Sequence, residues 1–569
     1  MLGGLLDGVL GRNRARAVAP VDAEHLQGAK LIAALRQAPR IAARTDLPAH
    51  RSVMTASYSV AGNDLSHIAV LDLGQREAAI LVSEGVVGQR LHLDVRRRLA
   101  EASYVLKQEN LAAVALMADL NGAISKAMAD ALASDVKPLI DEICHEMVAM
   151  SATDMHICCR EKSGMILARV HGRIKQYRSF DVTTCEQIAG YLFTNMAEPR
   201  SRSRGSFSLE AKSMACVIRL PIGGSSYKLR YQFIRLADGW DVVIRFLRSE
   251  TPGERNKTFL ELGYAPSQIR QLELAVARSI GLIAITGPTG SGKSTTLKAM
   301  MEFDPKRLFK KRYSVEDPVE YKIFGVSQIS VQRDNHDQDS GGQDNLLGAL
   351  RDLLRGDPDD IMSGETRDAE TAQMTADFVL TGHKIYTTLH TNSATGSVLR
   401  LNRLGLERYI LADRQFLSAL AFQRLLPVLC PDCKRPAHEV MEPSDLDLLA
   451  SKFGLDLGGI WCASDDGINH DTGATCQTCR GMGVVGQTVA AEIIVPDRVF
   501  RQYIAEGRDE MAENYWRKSR RTGFDDPDMT GKTAFEHALY KVSLGEVDPR
   551  DVASVFEPFE TYELVDPTV

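Results

Sequence analysis

A glycine-rich segment, "GPTGSGKST", follows the apolar run Ile283–Ile285. It fits the pattern G-x-x-x-x-G-K-[ST], in which small residues let backbone N–H groups curl around phosphate oxygens. Lys293 would neutralise the β- and γ-phosphate oxygens, and the Ser294 hydroxyl would reach Mg²⁺. The segment therefore predicts a site for ATP or GTP at the start of a helix. The predicted nucleotide-binding residues are Gly287, Pro288, Thr289, Gly290, Ser291, Gly292, Lys293, Ser294 and Thr295.

Two acidic segments follow apolar strands of the same region. The segment "IMSGETRD" places Glu365 shortly after Ile361 and Met362. A carboxylate at the end of a buried strand is costly unless it is paired, and Glu365 can bind a Mg²⁺-bound water beside the phosphate loop. A surface turn with incidental charges is the alternative. The segment "RYSVEDPVEY" places Glu316 and Glu320 after another predicted strand.

Two histidines, His383 and His390, flank a short strand in "GHKIYTTLH". The β-branched residues between them favour strand over helix, so one histidine is expected at each end. A lone histidine is more often structural. Two histidines that flank a strand of a phosphate-loop sheet favour a role near the nucleotide.

Two Cys-x-x-Cys pairs are separated by 42 residues in the second half of the chain. Each pair makes a tight knuckle, and two knuckles complete a tetrahedral Zn²⁺ site with no position left for water. A structural zinc site is therefore predicted, with redox pairs or free thiols as the alternative. Cys462 lies between the pairs and is not an expected ligand. The predicted ligands are Cys430, Cys433, Cys476 and Cys479.

The wider pattern predicts an α/β protein of several domains. A chain of 569 residues is too long for one core, since domains hold about 100–200 residues. Alternating strands after a helix indicate an α+β domain, and strands followed by helices indicate a mostly parallel sheet. The predicted divisions are an N-terminal partner-docking domain at 1–135, an α+β domain at 136–250, a linker at 251–260, a phosphate-loop core at 261–427, a zinc module at 428–490, and a C-terminal helical region with an acidic tail at 491–569.

Composition narrows the class of partner. The net charge is −6 and the isoelectric point about 6.2, which argues against nucleic acid as a direct partner. No apolar run reaches the ~18 residues that cross a bilayer. The N-terminal "MLGGLLDGVLGRNRARAVAP" places its arginines after its apolar stretch, the opposite order to a signal peptide. We expect no transmembrane segment, and reduced thiols in the cytoplasm.

These segments together resemble the secretion-ATPase superfamily that drives type II secretion and type IV pilus assembly. The resemblance rests on "TGPTGSGKSTTL", the acidic box "SVEDPVEY", "LRDLLRGDPDDIMSGETRDAETA" and the histidine box "GHKIYTTLHTNSATGSVLRL", in that order. "CPDCKRP" and "CQTCRGMGVVGQTVAAEII" resemble the family's zinc module. The resemblance implies an ATP hydrolase with a P-loop core of RecA-like type, preceded by a smaller α+β domain and an N-terminal domain, with an inserted zinc module.

The resemblance also implies a role for each acidic residue and histidine. Glu320 would orient or deprotonate the attacking water, with Glu316 as the alternative in the same box. Glu365 would hold the Mg²⁺ shell. His383 and His390 would sense the γ-phosphate or couple it to a subunit interface.

Two arginines are implied to act between subunits. Arg230 and Arg245 lie in "LRYQFIRLADGWDVVIRFLR", at positions where the family carries arginines that reach a neighbour's γ-phosphate. This implies a homo-oligomer, expected to be a hexamer, with ATP, Mg²⁺ and Zn²⁺ as its cofactors.

The resemblance further implies a cytoplasmic motor, peripherally associated with the inner membrane, that powers assembly of a type IV pilus or a type II secretion pseudopilus. Its expected partners are an inner-membrane platform protein and the cytoplasmic domain of a membrane assembly protein. The alternatives are a pilus-retraction motor, a branch that as a rule lacks the zinc module, and a conjugation-type transport ATPase. Asp360, Ser363, Cys158 and the polar link at 333–347 depart from the usual pattern and indicate a divergent branch, such as type IVb or plasmid thin-pilus systems.

Overall fold

The computed structural model describes residues 35, 40–41, 43–58, 60, 64–65, 67–249, 257–317, 319, 321–331, 341–469 and 472–566. The chain divides into two compact units, Met1–Pro138 and Leu139–Val569. Glu320, the N-terminal lead segment, most of the predicted linker and much of the polar link lie outside the described residues.

The first unit contains a four-stranded sheet. Its strands are β1 (Ser52–Val53), β2 (Ile68–Gly74), β3 (Glu77–Val82) and β4 (Val105–Leu111), and its helices are α1 (Arg90–Glu101) and α2 (Val114–Ala149), the second of which extends past Pro138. The strands lie in the order β1-β2-β3-β4. Because β3 and β4 are parallel, the chain needs a crossover between them, and α1 supplies it.

The second unit begins with a six-stranded antiparallel sheet in the order β7-β6-β5-β10-β9-β8. These strands are β5 (Ala152–Arg160), β6 (Gly164–Val170), β7 (Arg173–Phe180), β8 (Ser213–Ile222), β9 (Ser225–Leu236) and β10 (Gly239–Ser249). Helix α3 (Val182–Tyr191) precedes β8. Apolar residues alternate along the strands, so one face of the sheet is buried, with Ile157, Ile166 and Phe233 fully enclosed.

A seven-stranded sheet forms the centre of the second unit. The remaining strands are β11 (Gly281–Thr286), β12 (Arg312–Glu316), β13 (Ser327–Ser330), β14 (Asp360–Ser363), β15 (Lys384–Leu389), β16 (Leu417–Leu429), β17 (Arg435–Pro436), β18 (Trp461–Cys462), β19 (Ile468–Asn469), β20 (Ala474–Thr475) and β21 (Val484–Ile494). The central order is β13-β12-β14-β15-β11-β16-β21, parallel except between β16 and β21. The prediction of an α/β protein with a mostly parallel sheet is confirmed.

The helices of this unit connect the strands and close the C-terminal region. They are α4 (Phe259–Leu262), α5 (Pro266–Ala277), α6 (Lys293–Phe303), α7 (Gly341–Leu353), α8 (Ala369–Leu380), α9 (Gly396–Arg403), α10 (Arg408–Leu411), α11 (Pro443–Ser451), α12 (Arg498–Ala505), α13 (Asp509–Arg517), α14 (Ala534–Ser543) and α15 (Pro549–Val555). Since the carboxyl ends of parallel strands meet at one edge of a sheet, the segments after β11, β12, β14 and β15 lie together there. We call this edge the loop edge.

The start of β7 contacts the C-terminal region. Arg173 Nη2 donates to Asp551 Oδ2 at 2.8 Å, next to the fully buried Asp548. Lys175 Nζ donates to the carbonyl oxygen of Gly481 at 2.6 Å. The six-stranded sheet is thereby held at two points that are distant in the sequence.

Membrane-spanning helices were sought only among the residues that the structure describes. None of the helices there combines the length and the apolar character that a bilayer crossing requires.

Candidate functional site

The phosphate loop leaves β11 through backbone conformations that require glycine. Gly287 has a φ of 146°, and a Cβ there would lie 2.4 Å from the carbonyl oxygen of Gln423. Gly292 has a φ of 84° immediately before α6 begins at Lys293. Side chains other than hydrogen rarely allow such angles. The loop is therefore tightly wrapped and ends at a helix N-terminus, where free N–H groups and the helix dipole favour an anion.

A buried network of hydrogen bonds connects this loop to β16. Gln423, on β16, donates from Nε2 to the carbonyl oxygen of Ser291 at 2.6 Å. The Tyr264 hydroxyl donates to Gln423 Oε1 at 2.7 Å and lies 3.1 Å from Thr296 Oγ1. Sequence reasoning missed Tyr264 and Gln423. The only sequence signal is a glutamine at the end of the mostly apolar run "LSALAFQ".

Lys293 lies with an acid and a histidine at the loop edge. Its Nζ donates to the carbonyl oxygens of Gly287 and Pro288 at 2.8 and 2.9 Å. Burial lowers the pKa of Lys293, and the charge of Glu365 partly opposes that shift. His390 Nε2 lies 3.5 Å from Glu365 Oε1. The structure thus brings together three predicted site residues from three different segments.

The His390 imidazole is held toward its neutral form. Burial lowers its pKa, the charge of Lys293 lowers it further, and Glu365 acts in the opposite direction. A neutral imidazole can donate from one nitrogen and accept at the other. His390 is therefore suited to contact a phosphate oxygen or a water at this edge.

Glu316 ends β12 at the same edge. Ser314 Oγ donates to Glu316 Oε1 at 2.6 Å, and Gln328 Nε2 donates to the same oxygen at 3.1 Å. Glu316 and Ser294 share a small cleft, which is also lined by Leu297, Lys298, Tyr321, Ile323, Met362 and Gly364. A carboxylate thus faces the start of α6 across this cleft.

His383 lies at the opposite edge of the sheet. It precedes β15, whereas His390 follows it, and a six-residue strand spans about 20 Å. His383 Nδ1 lies 3.0 Å from Thr381 Oγ1, and its ring packs edge-on against Phe378. The structure therefore does not bring His383 to the phosphate loop of its own chain.

Arg230 and Arg245 are direct neighbours on the six-stranded sheet. They are cross-strand partners on β9 and β10, and Arg245 is also the partner of Asp154 on β5. Arg245 Nε donates to Asp154 Oδ1 at 2.9 Å. Arg169, the next residue in this row, lies 3.8 Å from the same carboxyl group. Asp154 thus contacts two arginines of this row, and Arg230 lies beside them on β9.

The departure at Asp360 has a local explanation. This residue begins β14 and is almost completely buried, which raises its pKa. Lys310 Nζ lies 3.1 Å from its Oδ2 and 2.7 Å from Asp304 Oδ2, so the buried charges are paired. Its register partners on the neighbouring strands are Arg312 and Lys384. An ion-pair network therefore replaces apolar packing at this end of the strand.

The four predicted cysteine ligands form one buried cluster. Their sulfur atoms all lie within 4.8 Å of one another, with Cys430 Sγ 3.7 Å from Cys476 Sγ and Cys433 Sγ 3.6 Å from Cys479 Sγ. Sulfurs arranged tetrahedrally around zinc at about 2.3 Å would be about 3.8 Å apart. The knuckles meet because β16 and β21 pair up to Leu429 and Val484. The cluster therefore fits a Zn²⁺ ion.

We expect the purified chain to contain about one zinc per molecule, because four buried thiolates close a tetrahedral site. Cys476→Ser should lose that zinc. Cys462→Ser is the matched control, since Cys462 is also buried but lies outside the cluster. Elemental analysis of the three proteins measures the content. Absence of zinc from the wild type, or an unchanged content in Cys476→Ser, would contradict the assignment.

The chain matches proteins of known families over most of its length. The family model "Type II/IV secretion system protein" matches residues 130–538. "Type II secretion system protein E" of Pseudomonas aeruginosa is 31% identical over 466 residues, covering 78% of this chain and 84% of the relative. The corresponding protein of Aeromonas hydrophila is 32% identical over 70% of this chain and 74% of its own length.

Two further matches, a curated relative and a solved structure, differ in how much of their own length is covered. "Type IV pilus assembly ATPase PilB" of Thermus thermophilus is 30% identical over 72% of this chain and 42% of its own length. The solved structure of the ATPase DotB from Legionella pneumophila is 20% identical, with a TM-score of 0.48, and covers 73% of this chain and 95% of that chain.

Proposed function

Because the chain belongs to the type II/IV secretion system protein family, we propose that it powers assembly of a type IV pilus or a type II secretion pseudopilus. Like the members of this family, it is an ATP-hydrolysing enzyme. The observation that carries the proposal is the grouping of Lys293, Glu365 and His390 at the loop edge. The proposal is further supported by the names of relatives that act in type II secretion and in pilus assembly.

Each loop-edge residue has a distinct task in the proposed reaction. The phosphates of ATP lie on Gly287–Thr295, and Lys293 leaves its two carbonyl acceptors for the fully charged β- and γ-phosphate oxygens. Ser294 and Glu365 would hold Mg²⁺, the latter through a water. When bound, that ion neutralises charge on the β- and γ-phosphates. His390, 3.5 Å from Glu365, contacts the γ-phosphate or the water around it.

The acidic box supplies the group that positions the attacking water. By resemblance that group is Glu320, and Glu316 is the alternative. Glu316 already accepts hydrogen bonds from Ser314 and Gln328, which fix the orientation of its side chain. Orienting a water and stabilising charge are most of what such a site must do.

We propose that six copies form a ring and that Arg230 and Arg245 contact the γ-phosphate of a neighbouring subunit. Head-to-tail contacts between identical chains form a closed ring when the rotation from one chain to the next closes. In this ring His383, on the edge opposite the phosphate loop, contacts the adjoining subunit. We also propose the finer domain limits that were predicted from the sequence, including a partner-docking role for residues 1–135. The ring acts at the cytoplasmic face of the inner membrane on a platform protein and on the cytoplasmic domain of a membrane assembly protein.

A complementation experiment tests this function. In a strain that lacks the gene, the wild-type chain should restore extracellular filaments or secretion, and Glu320→Gln should not. The purified Glu320→Gln protein should bind ATP and hydrolyse it slowly, because only the water-positioning carboxylate is lost.

Glu316→Gln is the matched variant, with the same change of charge in the same box. If Glu316→Gln is slow while Glu320→Gln is active, Glu316 is the water-positioning residue. If the wild type hydrolyses ATP but restores neither filaments nor secretion, the proposed process is wrong although the enzyme is intact.

A further inference from the structure

The segment that follows His390 is anchored to the strand that carries the phosphate loop. Thr391 donates from its backbone N–H to Thr286 Oγ1 at 2.9 Å, and the two hydroxyl oxygens are 2.6 Å apart. Thr286 is the last residue of β11 and directly precedes Gly287. The residue after His390 is therefore hydrogen-bonded to the residue before the phosphate loop.

The same segment has a second anchor, Glu492 on β21. This glutamate is almost completely buried. Its Oε1 accepts from the backbone N–H of Ala394 at 2.6 Å, and its Oε2 accepts from the backbone N–H of Ala534 at 3.1 Å. Ala534 is the first residue of α14. One carboxylate therefore bridges the histidine segment and a C-terminal helix.

Glu492 lies at the same level of the sheet as the end of β11, where the loop edge begins. It is the register partner of Phe422 on β16, and Phe422 is the partner of Thr286 on β11. The two anchors of the histidine segment therefore lie at one level of the sheet, two strands apart. A shift of either anchor along its strand would tilt the segment that begins at His390.

The surroundings of Glu492 disfavour a negative charge on its carboxyl group. Burial raises its pKa to about 7, and the charges of Glu513 and Glu536 act in the same direction, while its two N–H donors oppose them. The charged groups of the neighbouring helices also include Arg517, which lies 3.5 Å from Glu536. Burial of a carboxyl group is costly unless hydrogen bonds compensate for the lost contact with water. Both of its oxygens are used in this way, one on each side of the bridge.

A second contact strengthens the bridge between the same segment and the C-terminal helices. The Thr395 hydroxyl, one residue beyond Ala394, donates to Glu513 Oε2 on α13. Glu492 and Glu513 therefore hold neighbouring residues of one short segment to two successive helices. Displacement of α13 and α14 must move this segment or break both contacts.

We propose that Glu492 is a positioning residue that ties the placement of His390 to helices α13 and α14. The inference rests on the role proposed above for His390. Movement of these helices, by a neighbouring subunit or a membrane partner, would change hydrolysis through the histidine without any contact to the nucleotide. A glutamate is suited to this task because a glutamine has only one acceptor oxygen for the two N–H groups.

A double-mutant cycle tests the inference on the full chain. Glu492→Gln should lower kcat by about tenfold with little change in KM for ATP, because the interaction supports the reacting geometry. In a His390→Ala background the same substitution should change kcat by less than about twofold, because coupled residues are not additive. The readouts are phosphate release, nucleotide binding and the thermal unfolding midpoint.

Glu536→Gln is the matched control. Glu536 is also buried and caps the same helix α14, but it contacts Thr533 and Arg517 and not the histidine segment. It should lower thermal stability while its effect on kcat adds to that of His390→Ala. If the effect of Glu492→Gln also adds fully to that of His390→Ala, the inference is overturned. If His390→Ala itself leaves kcat unchanged, the role proposed for the histidine fails instead.

Discussion

We expect Lys293→Ala to abolish ATP hydrolysis and to leave the chain folded. Removal of one preorganised donor to charge that develops in a transition state costs about 10²–10³-fold in rate. Lys293 is such a donor, since it is partly buried, begins α6 and already donates to two loop carbonyl oxygens. Phosphate release measures the loss, and thermal unfolding reports the fold.

Lys306→Ala is the control for this experiment. It removes the same charge from an exposed position just beyond α6, so it should retain the wild-type rate. Hydrolysis by Lys293→Ala at more than a small fraction of the wild-type rate, with normal folding, would show that the nucleotide site is assigned wrongly.

Arg245→Ala should retain ATP binding and lose most turnover, and Arg230→Ala should behave in the same way. An arginine supplied by a neighbouring subunit can contribute about 10³-fold or more to the rate. Arg245 is held in a defined position by Asp154 and lies beside Arg230. The two cationic side chains therefore stand next to each other on adjacent strands, and a carboxylate orients one of them.

Mixing subunits tests whether the site is shared. Rings that combine Arg245→Ala with Lys293→Ala should regain part of the activity, because some sites then receive an intact loop from one chain and an intact arginine from the other. Arg235→Ala is the control, since Arg235 lies on the same strand β9, is exposed and pairs with Glu210. Failure of mixing to restore activity, or full turnover by dilute monomers, would argue against a shared site.

The parts of the site that depend on local spacing were predictable. The phosphate loop needs glycines at fixed offsets between a strand and a helix, and the zinc cluster needs two short knuckles. Both requirements are visible within a few residues of sequence. The parallel sheet followed from apolar strands that alternate with helices, because strands buried on both faces are apolar throughout.

What could not be predicted depends on pairing between distant segments. Gln423 reaches Ser291 across 132 positions, and Glu492 reaches Ala394 across 98. Nothing near either residue in the sequence specifies its partner. The burial of Asp360 is intelligible only once Lys310 lies next to it. The edge to which His383 belongs depends on strand direction, which spacing alone does not fix.

The two contacts at the start of β7 determine how freely the arginine-bearing sheet can turn. The contacts of Arg173 with Asp551 and of Lys175 with Gly481 restrict rotation of the sheet, because they hold one of its strands at two positions. The direction in which Arg230 and Arg245 point is therefore set by the C-terminal region and by the carbonyl group beside the second cysteine knuckle. We therefore expect a change in the four-cysteine cluster to alter the position of Arg230 and Arg245 relative to the central sheet.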